Sequence, residues 1–166
     1  PNVACLDYSA VKYGKLVAYR MDGEQELLII GREVFKPLAA RPGLWAFWWP
    51  RFERIAKWFI QTEATRRGDV RKSYTEQSGT LDTPSGFQVY ARADRIDALR
   101  DGGIAIIDYK TGAPPSQGDV ANGFAPQLPL EAAIAEKGGF GDVPAGPPAS
   151  MAFWKLSGGD PAGEIV

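Results

Sequence analysis

Histidine is absent from the chain, and that absence removes Ser-His and Cys-His nucleophile systems and every His-ligated zinc site. Cysteine is nearly absent as well. Cys5 alone cannot build an internal disulfide framework or a thiolate cluster, a usage that points to a reducing compartment and so to the cytoplasm. No apolar run approaches the ~20 residues needed to span a bilayer, and no signal-peptide pattern opens the sequence, so no membrane association is expected. A strong charge of either sign is missing too: the formal net charge of -1 lacks the basic excess usual for a nucleic-acid binder, leaving phosphate contacts to local patches or to another domain. There is no Walker loop, glycine-rich dinucleotide fingerprint, zinc spacing or internal repeat. What remains is the composition of an ordinary globular protein, 45% hydrophobic and 23% charged over 166 residues, enough for one domain with a single substantial core.

The stretch that asks for chemistry runs from Ala91 to Gly112. Phe87, Val89, Ala91 and Ala93 fall on every second position, the period of a half-buried strand, and Asp94 then falls on the other face. Asp101-Gly102-Gly103 is a tight-turn signal, after which Ile104–Ile107 reads as a more buried strand ending in Asp108-Tyr109-Lys110. Alternation puts Asp108 and Lys110 on one side and Tyr109 on the other. If Asp94 and Asp108 meet across this hairpin, two carboxylates so close call for a cation between them, and oxygen ligands suit Mg2+ or Mn2+. Lys110 beside such an ion could orient the attacking water or offset charge building on phosphorus. Taken singly, each residue reads better as part of an exposed cross-strand ion pair worth ~0.2–1 kcal/mol; the combination carries the functional reading.

ADRID (Ala93–Asp97), IIDYKTG (Ile106–Gly112) and PQLPLE (Pro126–Glu131) together resemble the RecB-like branch of the PD-(D/E)XK nuclease family. The likeness is closest to the C-terminal nuclease domain of AddB-type subunits of bacterial double-strand-break repair helicase-nucleases. It runs from about Leu27 onward and is specific between Ala91 and Glu131. The resemblance implies a restriction-endonuclease-like α/β fold, a mixed sheet flanked by helices, acting as a Mg2+- or Mn2+-dependent DNA exonuclease with DNA and a helicase-nuclease subunit as partners. Residue by residue it implies that Asp94 and Asp108 bind the metal together with the Tyr109 backbone carbonyl, that Lys110 is the catalytic lysine, and that Gln127 helps to hold the site. Glu131 stands where the family's Gln-x-x-x-Tyr motif has its tyrosine. Glu76, in the strand ahead of the hairpin, and Asp97 are further candidates for supporting or DNA contacts, with surface charge and pairing to Arg95 or Arg92 as their ordinary alternatives. The family's upstream Gly-x-x-x-His helix has its nearest equivalent in Gly14–Ala18, with Ala18 at the histidine position and Asp22 beyond. A catalytically silent nuclease-like module that binds DNA or a partner is the alternative.

Around this core the sequence predicts one domain over 1–166, a piece of something longer. Residues 1–23 have no clear assignment, 24–67 are helical, 70–137 form the catalytic core, and 138–166 are a loop and a last strand. Glu24–Ala40 has a helical stripe at Leu27, Leu28, Gly31, Val34, Phe35 and Leu38. Pro50 suits the first turn of a second helix whose inner stripe is Phe52, Ile55, Ala56 and Phe59, with Arg51, Arg54 and Lys57 outside. Val70–Gln77 reads as an edge strand, Asp82–Gly86 as a turn, and Ala113–Gln117 as a linker. A helix beginning near Pro126–Leu128 sets Gln127 and Glu131 on one face. Met151–Leu156 is the final strand, parallel to its neighbour by right-handed crossover.

Overall fold

The computed structural model describes residues 3–6, 17–20 and 24–166. Two short strands, β1 (Val3–Leu6) and β2 (Val17–Arg20), pair antiparallel. Ala18 lies on β2, whereas Gly14 and Asp22 fall outside the described residues.

Helices α1 (Glu24–Ala39) and α2 (Pro42–Arg66) follow. The second begins eight residues earlier than Pro50 suggests. Pro42 takes the first-turn position, where a missing N–H costs nothing, and Pro50 sits inside the helix. An interior proline costs roughly 3 kcal/mol. Trp49, Phe52, Ile55 and Phe59, all buried, contribute about 1.5–3 kcal/mol each when fully removed from water, so their packing outweighs the break. The WAFWW run is therefore helix, and its rings interlock: Trp45 stacks on Trp49 at 5.0 Å, and Phe35 of α1 meets Phe52 at 5.3 Å. Gly31 makes that approach possible, because a Cβ there would lie 2.1 Å from the Phe52 ring.

The main sheet holds five strands in the order β3 (Val70–Asp82), β4 (Gln88–Leu99), β5 (Ile104–Lys110), β6 (Pro148–Leu156) and β7 (Gly163–Ile165). All neighbours are antiparallel except β5 and β6, which are parallel. The restriction-endonuclease-like mixed sheet flanked by helices is thus the observed fold. Strand β3 is the expected edge strand but extends to Asp82. Phe87 is no part of the core; it is 68% exposed beside the β3–β4 turn. Beyond β5, two elements have no counterpart in the sequence reading. The short helix α3 (Gln117–Ala121) is opened by a capping box between Ser116 and Asp119, and β7 adds a last antiparallel strand beyond the expected final one.

Helices cover both faces. On one, α1 and α2 pack on Ile107, Tyr109, Trp154 and Leu156. On the other, α4 (Gln127–Glu136) supplies Leu128, Ala132, Ile134 and Ala135 against Ile96, Ala98, Ile104, Ile106 and Phe153. Ala93 joins this second cluster although it is an odd position and Ile96 an even one. The alternation of β4 therefore slips by one residue between them, where Glu76 on β3 adopts φ 54°. Asp94 lies at that slip.

Candidate active site

Strands β4 and β5 pair with Arg95 opposite Ile107, and their pairing ends there. The next rung would set Asp94 opposite Asp108. Instead of continuing the ladder, the Tyr109 N–H donates to the Asp94 carboxylate at 3.0 Å. The strands thus part at the two acids, and a side chain replaces a backbone acceptor across the gap.

Asp108 is buried, 2% exposed. Its Oδ1 accepts from Gln127 Nε2 at 2.5 Å, and its Oδ2 lies 2.6 Å from Lys110 Nζ, close enough for an ion pair but without the angles of a directed hydrogen bond. Lys110 Nζ also donates to Gln127 Oε1 at 3.3 Å. Gln127 Nε2 reaches Glu131 Oε1 at 3.2 Å. The amide is oriented by chemistry: both of its N–H groups go to carboxylates, so its oxygen is left for the lysine. Gln127 and Glu131 reach the strand ends together because they lie one turn apart on α4, and Pro129 fits because it lies in that helix's first turn.

The electrostatics are one-sided. Burial, with the negative charge of Asp108 and Glu76 nearby, pushes Asp94 up to about 6 against the opposing Tyr109 hydrogen bond. Burial likewise pushes Glu131 up to about 7, and its Oε2 has no hydrogen-bond partner. Glu76 is ion-paired with Arg92. Acidic oxygens buried without full compensation are what a divalent cation relieves, and the donor chemistry of Asp94 and Asp108 suits such an ion. Among the described residues, however, no three His, Cys, Asp or Glu side chains converge as a ready ligand set, and Asp108 faces Lys110 and Gln127.

Asp97 stands apart. It is fully buried on the opposite face of the sheet, accepting from Arg95 Nε at 2.8 Å and lying 3.1 Å from Arg66. Burial closes it to direct approach by DNA, and it pairs with Arg95. Arg92 pairs with Glu76 instead. The sequence reading missed Glu63 altogether: it grips Arg95 with both oxygens, at 2.7 and 3.0 Å, from the end of α2. Only the presence of an arginine between buried positions of β4 hinted at a hidden partner.

A mixed sheet with α-helices on both faces, carrying an aspartate on one strand and Asp-x-Lys at the parting end of the next, defines a nuclease-like core built around Asp···Asp-x-Lys. The chain belongs to the PD-(D/E)XK nuclease superfamily, whose family model matches residues 16–164. Similar proteins occur in Rickettsia. An uncharacterized protein of Rickettsia bellii is 29% identical over 123 residues, covering 72% of this chain and 15% of its own length. Uncharacterized proteins of Rickettsia conorii and Rickettsia typhi are each 27% identical over 123 residues. The chain thus spans only about 15% of the length of the curated relatives it matches.

Proposed function

We propose that this chain is a metal-dependent DNA nuclease domain that hydrolyses phosphodiesters, RecB-like in its site and closest to the exonuclease domain of AddB-type subunits in recombinational repair. The observation that carries it is the linkage of Asp94, Tyr109, Asp108, Lys110, Gln127 and Glu131 through neighbouring contacts at the end of one strand pair. DNA and a helicase-nuclease subunit of the same cytoplasmic complex are the partners this reading implies. The relatives' much greater length leaves room for such an assembly.

In this reading Asp94, Asp108 and the Tyr109 carbonyl would hold Mg2+ or Mn2+. When bound, that ion supplies positive charge at the scissile phosphate and makes water a competent nucleophile at neutral pH. Water would attack phosphorus and give up a proton to solvent, the new P–O bond forming as the bond to the sugar oxygen breaks, and that oxygen would leave with a proton from solvent. Lys110, with about a third of its side chain accessible, presents its ammonium where the phosphate arrives and offsets the charge building on the non-bridging oxygens. Gln127 fixes the lysine's direction, and Glu131 fixes the glutamine. The test is a Mg2+ and Mn2+ titration with labelled single- and double-stranded DNA beside Lys110→Ala, a change expected to lower cleavage by roughly 10²–10³-fold. Cleavage unchanged in that variant removes Lys110 from the mechanism.

A second reading, a silent module that binds DNA or a partner, is favoured by one observation: with Ala18 at the place of the family's histidine, no third side-chain ligand joins Asp94 and Asp108 among the described residues. A parent protein that binds DNA but never cleaves it, in either metal, would establish that reading.

A further inference from the structure

Behind the site, on the α2 face of the sheet, lies a buried ionic cluster that the reaction does not use. Arg95, 2% exposed, spends all five of its N–H donors: one on Asp97, two on the carboxylate of Glu63, one on Ser73 Oγ at 3.4 Å and one on the Tyr109 hydroxyl at 3.3 Å. Arg66 closes the cluster, 3.3 Å from Glu63 and 3.1 Å from Asp97. Formal charge balances, two acids against two guanidinium groups. A buried network of this kind is a weak source of stability, since apolar replacements of similar volume are often as stable or more so. Its position suggests another use. Arg95 directly follows Asp94, and Tyr109 sits between Asp108 and Lys110. Strand pairing has already ended at Arg95 and Ile107. Past that rung two contacts bridge β4 and β5: the Tyr109 N–H on Asp94 in front of the sheet, and Arg95 on the Tyr109 hydroxyl behind it.

We propose that Glu63, Arg95 and the Tyr109 hydroxyl form a positioning clamp that fixes, through the sheet, the separation of Asp94 and Asp108 and the direction of the Tyr109 peptide between them. This inference rests on the nuclease reading for its consequence in catalysis, but the clamp acts on the acids whether or not cleavage follows. Arg95 is held from α2 by a bidentate grip that a lysine could not make. The guanidinium in turn pins the tyrosine ring, and the ring sets the peptide whose N–H holds Asp94. All three side chains are buried on the α2 face; they act through the strand backbone.

Tyr109→Phe is the sharpest probe, because it deletes one oxygen and keeps the peptide; Glu63→Gln is the second variant. Three quantities separate positioning from mere folding: Mn2+ affinity from a binding isotherm without DNA, KM for DNA, and kcat. The expected result is Mn2+ binding weakened by roughly tenfold and kcat lowered 10–100-fold, with KM within about twofold and the melting temperature of Tyr109→Phe close to the parent's. Unchanged Mn2+ affinity in both variants overturns the clamp, even if kcat falls in step with the folded fraction. A parent that binds Mn2+ with this variant pattern but never cleaves DNA sinks the nuclease reading and keeps the clamp. A parent that binds no Mn2+ overturns both.

Discussion

Glu131 shows how one side chain can stabilise a fold and disturb it at different pH. Its carboxyl rises from an ordinary 4.5 to about 7 through burial. The folded protein therefore holds a proton there between about pH 4.5 and pH 7 that the unfolded chain has released. Stability from this group is full below about 4.5 and is lost as pH rises through 7. Asp94, raised to about 6, adds to the same trend. Metal-free protein is thus expected to unfold at lower urea near pH 8 than near pH 5. Glu131→Gln, neutral at every pH and still able to accept from Gln127, should remove on the order of 1–2 kcal/mol of that difference. Urea titrations at the two pH values check this, and an equal slope in parent and variant would place the pH dependence elsewhere. Gln127→Leu breaks a different link. It frees Lys110 from its amide acceptor and strips a donor from Asp108, so single-turnover cleavage should fall about 10–100-fold while DNA affinity in Ca2+ changes little. A fall in affinity matched by no change in the chemical step would make Gln127 a DNA contact and not a support.

Helix α2 does two tasks at once, and they separate by position. Its buried stripe forms the floor under β5 and β6: Phe59 packs on Tyr109 and Trp154 with ring centroids 6.1 and 5.5 Å away. Phe59→Ala should cost about 3–5 kcal/mol, read as a shift in the denaturation midpoint, and a loss below 1 kcal/mol would mean the site's floor is not where the stability lies. That stripe was legible, because Phe52, Ile55, Ala56 and Phe59 recur at helical spacing. So was the β4–β5 hairpin, where strand alternation, a Gly-Gly turn and an apolar run agree and bring Asp94 and Asp108 to the end of one strand pair. The start of α2 was not legible, since a proline inside a crowded aromatic run is tolerated only when tertiary packing outweighs it. Nor was β7, whose Gly- and Pro-rich approach carries turn signals and whose pairing with β6 is a tertiary choice. Glu63 and Arg95 meet across 32 residues of sequence, and no local pattern announces such a pair. Helix α3 was there to be found in Ser116 and Asp119, the S-x-x-D signature of a capping box.

The net charge of -1 bears on how the whole domain can meet DNA at all. An acidic site on a nearly neutral protein repels phosphate at long range, and the steering field of a basic protein is missing. If the nuclease reading holds, the divalent cation changes the sign of the very surface that the backbone must approach, so DNA affinity and metal occupancy rise together by linkage. EDTA should therefore weaken binding of a short labelled oligonucleotide by about tenfold or more relative to Ca2+, a cation chosen so that binding is read without turnover. Replacing both acids, as in Asp94→Asn with Asp108→Asn, removes the repulsion and the metal site together. That variant should bind DNA equally well in EDTA and in Ca2+, and more tightly than the parent does in EDTA. Anisotropy titrations of parent and variant at one fixed ionic strength decide the matter. Parent affinity indifferent to EDTA would mean that phosphate is met by basic residues away from Asp94 and Asp108, with the exposed Arg54 and Lys57 of α2 the next place to look.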